Sequence, residues 1–233
     1  MSPSRLSVAG ALAAAAVATL AAGCGSSKTQ NPATAPTVSL WVNSTIQDYR
    51  QVAAGAKLAL AEAQGHAGKF RINYAGRMVS ADPAATLKDA LNNARTSLRD
   101  TQVSAVVTAL DDPQARSAIT LLNSAGISAV ALGDAALKSA ACDPGSDIYP
   151  SGHPTAIVMA RDGSGASVPS AFRSTFMQRL GFAPDDDAYR AYTGVKAVLA
   201  SLAVAGVATD DNPPRLDRDA LAAQLVRSHG DCA

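Results

Sequence analysis

The stretch VSAVVTALDDP, Val103–Pro113, decides the fold. Val103 to Leu110 is almost continuously apolar and β-branched, the pattern of a strand covered on both faces, and such strands belong to parallel sheets flanked by helices. Asp112-Pro113 then supplies an N-cap and a proline suited to a first helical turn, so a helix should follow and end at Gly126. The same unit recurs on either side. Thr37–Val42 reads as a strand, Asn43–Asp48 as a polar loop, and Tyr49 to about Gln64 as a helix with Val52, Ala56, Ala59, Leu60 and Ala63 on one face. Gly65 and Gly68 close it. Phe70–Tyr74 is a strand, and Asp82-Pro83 opens a helix that runs to about Arg99. Ile127–Leu132 is the fourth strand. Crossover helices force neighbouring strands to run parallel, so the expectation is an α/β fold.

Downstream the rhythm changes. Ala141–Pro154 holds Cys142 and several turn pairs and reads as a surface connection. Thr155–Ala160 is a fifth strand and Asp162–Ser167 a Gly/Ser loop. Helices are expected from about Val168 to Leu180, from Asp185 to Ala205 with an acidic first turn that suits its dipole, and from Asp217 to His229 with Gly230 at its end.

The N-terminus has its own pattern. Arg5 precedes an apolar run, Leu6–Leu20, that is too short for a comfortable membrane span, and Ala21-Ala22-Gly23-Cys24 follows. This resembles the signal and lipobox of a bacterial lipoprotein precursor. The resemblance implies cleavage before Cys24, lipidation of its sulfur, and a mature protein held on the extracytoplasmic side of the membrane. The domain plan is therefore a signal peptide over 1–23, the lipidated cysteine and a flexible tether over 24–36, and one folded domain over 37–233. The tether is rich in Ser, Gly, Pro, Thr and Asn and has little apolar surface to bury.

Composition excludes several classes of function. Loss of Arg5 with the signal leaves 19 basic and 19 acidic residues, no segment concentrates Lys and Arg, and aromatics are 4% of the chain. Neither the charge footprint nor the stacking platform of a nucleic-acid binder is there. His66, His153 and His229 lack ligand spacing, so no metal is expected, and no sequence feature calls for a cofactor. Once Cys24 is lipidated, Cys142 and Cys232 form an even pair in an oxidising compartment, which invites a disulfide. Nucleophile-elbow, P-loop and dinucleotide signatures are lacking. Asp162–Ser167 has no following lysine and reads as a turn, and Ser164 has no evident triad geometry, so no enzyme is expected.

The order of segments resembles the type 1 periplasmic solute-binding proteins of branched-chain amino-acid ABC transporters. Tyr49–Ala59 with Glu62 is similar to that family's first helix, Asn73–Pro83 to the strand and loop before its second, and Val103–Ala118 to a strand, loop and helix that carry ligand contacts. Phe172–Phe176, Gly181–Pro184 and Ala188–Tyr192 are similar to its late helices. The family has two lobes, whereas here the second is missing or reduced to Cys142–Pro154. The resemblance thus implies one flavodoxin-like lobe, with a parallel sheet of about five strands and helices on both faces. Its implied partners are a small polar metabolite such as an amino acid, an ABC permease, and the membrane through the lipid.

In such a sheet, ligands bind beyond the carboxyl ends of the strands, near the switch in strand order. The positions are Asn43, Ser44 and Thr45, then Ala109, Leu110 and Asp111, then Gly133 and Asp134. Loop amides at the helix after Asp112 could receive a ligand carboxylate. Asp111-Asp112 argues the other way, since two carboxylates favour a cationic ligand or none. In the plainer reading Asp112 caps the helix and Asp111 is a solvated loop residue. The alternative function is a sensory or protein-interaction lipoprotein whose exposed rim includes Thr155–Ala160.

Overall fold

The structure, a computed structural model, describes residues 35–160, 168–205 and 216–230. Its centre is a sheet of β1 (Thr37–Thr45), β2 (His66–Ala67), β3 (Phe70–Val79), β4 (Val103–Ala109), β5 (Ser128–Ala131) and β6 (Ala156–Val158). The spatial order is β2-β3-β1-β4-β5-β6. Every pair is parallel except β2 with β3, a two-residue antiparallel addition at one edge. β4 is buried along its whole length, as its apolar run requires.

Helices α1 (Tyr49–Glu62), α6 (Asp186–Ala205) and α7 (Arg218–His229) cover one face, while α2 (Pro83–Leu98), α3 (Gln114–Asn123) and α4 (Ala135–Ala141) cover the other. Strand alternation sorts the two cores. In β1, Val38, Leu40 and Val42 meet Val52, Ala56, Val195 and Leu202, whereas Trp41 turns towards Ala90, Ala94 and Ile119. α5 (Ser170–Leu180) forms a further layer, where Phe172 and Phe176 pack on Ala54, Leu58 and Ala188. The α/β class, the parallel sheet and the helices on both faces are those expected.

Several details differ. β1 continues through Asn43–Thr45 instead of entering a loop, because β3 extends to Val79 and pairs with all three residues. Asp112 does not cap α3, which has no side-chain cap. Its carboxylate lies on Arg116 instead, at 3.2 and 3.3 Å. Ala141–Pro154 is more than a surface connection, since Ile148 and Tyr149 are buried in the core and the Tyr149 hydroxyl donates to Ala141 O at 2.9 Å. Thr155–Ile157 is buried too, so only the half-buried Val158–Ala160 part of that segment reaches the surface. Cys24, Cys232 and Asp162–Ser167 lie outside the described residues.

A cleft at the switch in strand order

From β1 the chain moves outward to β3 and then returns past β1 to β4, so the strand order reverses between β1 and β4. Helices leave those two carboxyl ends on opposite faces of the sheet, which opens a crevice there. The structure has a cleft of about 330 Å³ at that place. Thr45, Asp48, Thr86, Asp111, Asp112 and Gln114 contribute to its wall.

Local hydrogen bonds fix the wall. The Thr45 hydroxyl donates to Asp48 Oδ2 at 2.7 Å, and the Asp48 amide donates back to Thr45 Oγ1 at 3.3 Å. Ile46 N reaches Val79 O at 3.0 Å and ties the β1–α1 turn to the end of β3. Thr86, in the first turn of α2, donates to Ser80 O and Asp82 O. Across the cleft, Arg116 bridges Asp112 to Asp147, the latter at 3.1 Å, and its guanidinium is held above its ordinary pKa chiefly by the bond it donates to Asp112. Asp111 O accepts from Ala115 N, while its side chain is exposed.

The expected site residues divide into three groups. Thr45 and Asp111 line the cleft. Asn43, Ser44, Ala109 and Leu110 are buried strand-end residues. Asn43 stands on the same face as Thr45, beside Thr108 in register, and Ser44 points to the other face. Gly133 and Asp134 sit at the end of β5, away from this wall. Asp134 caps α4 by accepting from Leu137 N at 2.8 Å, and a Cβ on Gly133 would stand 2.5 Å from Leu137 Cδ2.

Asp48, Thr86 and Gln114 escape a reading of sequence alone. Each looks like an ordinary helix-start residue, and only the strand order brings the three helix starts together. Arg190 escapes it as well. Only 5% exposed, it pairs with Asp186 and Asp187 and donates to Met159 O at 3.0 Å and Gly133 O at 3.4 Å, so α6 holds the ends of β5 and β6. Nearby, burial pushes the Asp185 carboxyl upward, Asp187 and Asp48 add to the shift, and a bond from Ala188 N opposes it.

A larger groove, about 580 Å³, lies between His153–Thr155 and α7 at Ala222, Val226 and Arg227. It is away from the carboxyl ends of the strands, beside the amino end of β6. Among the described residues no group of three or more His, Cys, Asp or Glu is arranged to hold a metal ion. None of the described helices is long and apolar enough to cross a membrane.

No family model matches the sequence, and no curated protein matches it. Solved structures do. An ABC transporter substrate-binding protein from Desulfitobacterium hafniense, in complex with Leu, matches with a TM-score of 0.58 at 12% identity, over 82% of this chain and 89% of that one. A protein described as a branched-chain amino acid ABC transporter from Rhodospirillum rubrum matches with a TM-score of 0.57 at the same identity and coverage. A branched chain amino acid ABC transporter periplasmic ligand-binding protein from Burkholderia xenovorans LB400 follows, with a TM-score of 0.53 at 12% identity over 80% and 82% of the two chains. At this identity the likeness is one of fold, and the fold is that of ABC transporter substrate-binding proteins.

Proposed function

We propose that the protein is an extracytoplasmic solute-binding lipoprotein, anchored through Cys24, that holds a small polar metabolite of the amino-acid type and serves an ABC permease. One observation carries this reading: a polar cleft stands where the strand order reverses, in a fold shared with substrate-binding proteins. The lining suits recognition rather than turnover. Its hydroxyls are committed to fixed partners, and no nucleophile and base face each other across it. Cys142 and Cys232 form a disulfide in this reading. Its support is that Cys142 and Gly230, two residues before Cys232, border the same small cavity.

The binding test is thermal unfolding of the protein against amino acids, amines and short peptides at millimolar concentration. A ligand at about 100 times its dissociation constant adds about 2.7 kcal/mol. One chemical class should raise the transition. If none does, solute binding is wrong.

A second reading has its own observation. Ile46 and Met78, 60% and 54% exposed, stand at the ends of the strands beside the cleft and offer apolar surface to a protein partner. Capture of a partner in the absence of any small ligand would favour it.

A further inference from the structure

The lining of the cleft determines which end of a solute it can accept. Asp48, Asp111 and Asp112 stand in its wall, and among the described residues no Lys or Arg does. Arg116, which pairs with one of them, is engaged with Asp112 and Asp147. The start of α3, which should present amides to an anion, offers two fewer of them. Pro113 has no N–H, and the Ala115 N–H is taken by Asp111 O.

A second observation is independent of the carboxylates. Asn43, only 2% exposed, has an Oδ1 without a hydrogen-bond partner among the described residues, and so does the Oγ1 of fully buried Thr108 beside it. Asn43 shares the strand face of Thr45, which lines the cleft, and so stands one step below it. The Gln114 Oε1 in the cleft wall is also unpartnered among the described residues. Buried acceptors are costly when left without donors. What the cleft lacks is therefore a donor that carries positive charge.

We propose that this cleft binds the cationic end of its solute, a primary ammonium or guanidinium group, and turns a carboxylate away. The inference rests on the solute-binding reading and specifies which end of the solute enters. A cation here satisfies the Asp48 and Asp111 carboxylates and approaches the acceptors below them. A zwitterionic amino acid would enter ammonium first, with its carboxylate towards solvent.

Calorimetric titration of the full-length protein in detergent, at low ionic strength, tests this with four probes: isoamylamine, putrescine, agmatine and isovalerate. At least one amine should bind at least tenfold more tightly than isovalerate. D111N, an exposed loop change that leaves the fold intact, should weaken that amine about 5- to 10-fold, and D48N similarly. Isovalerate binding while the amines stay silent overturns the cationic preference and leaves solute binding standing. Amine binding unchanged in both variants overturns it too, because the cation then sits elsewhere. Silence from all four probes overturns the inference, and the panel of amino acids and peptides then decides the reading beneath it.

Discussion

Trp41 Nε1 donates to Asp100 Oδ2 at 3.0 Å, joining the middle of β1 to the turn before β4, while the Arg77 guanidinium lies 4.8 Å over the indole ring. Desolvation works to raise the Asp100 carboxyl, but bonds from Trp41, Ser39 and Gln102 and the charge of Arg218 outweigh it and hold the pKa below its ordinary value. A folded pKa below the unfolded value, about 3.9, contributes stability that is present above that value and is lost as pH falls through the folded one. Asp100→Asn should therefore flatten the acid side of the stability profile below about pH 4, followed by the emission of Trp41, the only tryptophan in the chain. Arg190 teaches a different lesson about single residues. In sequence it is one arginine in an Ala- and Tyr-rich helix, and nothing in its spacing marks it as buried against the carbonyls of Gly133 and Met159.

Among the elements, α1 and α6 approach most closely where Gly55 faces Ala188: a Cβ added at Gly55 would stand 2.0 Å from Ala188 O. Gly55→Ala gains about 1 kcal/mol in helix propensity. Overpacking costs about 1–3 kcal/mol, and here the contact is backbone, which cannot turn aside. A net loss of up to about 2 kcal/mol is expected in urea unfolding. At the far edge, Cys142 ends α4 and Gly230 ends α7, and both border one small cavity, which is the ground for the proposed Cys142–Cys232 disulfide. Cys142→Ser should lower stability by about 2–4 kcal/mol, and the intact protein should be two hydrogens lighter than its reduced form by mass. An unchanged mass on reduction removes the disulfide.

These elements also show what the sequence could reveal. The apolar run of β4 and the Asp82-Pro83 helix start were legible because the signals are local: burial on both faces and a fixed proline φ. The site was legible only in part. Thr45 and Asp111 follow from the rule for strand ends. Asp48, Thr86 and Gln114 depend on which helices become neighbours, and that information is in the strand order. Asp112 misled because its position suits a cap, yet Arg116 one turn on is a stronger partner for a carboxylate than an amide.

At the scale of the molecule, helix starts gather at the carboxyl edge of the sheet, and Asp48, Asp111, Asp112, Asp134 and Asp185–Asp187 cluster there with them. The helix dipoles favour this placement, so the acidity of that edge arises from the fold itself. The proposed lipid anchor is tested at the same scale. Cys24→Ala should move the protein from the membrane fraction to the soluble extracytoplasmic fraction or leave an unprocessed precursor, read by fractionation and mass. A variant that stays in the membrane fraction at mature mass would show that the lipid is not the anchor.

The central claim is that solute is held between the ends of β1 and β4. Amide chemical-shift mapping of the isotope-labelled protein, titrated with agmatine and with leucine at millimolar concentration, tests it most directly. The account predicts shifts that saturate at Thr45–Asp48, Ala81–Thr86 and Asp111–Gln114. Shifts confined to His153–Thr155 and α7, or none with either compound, would contradict it.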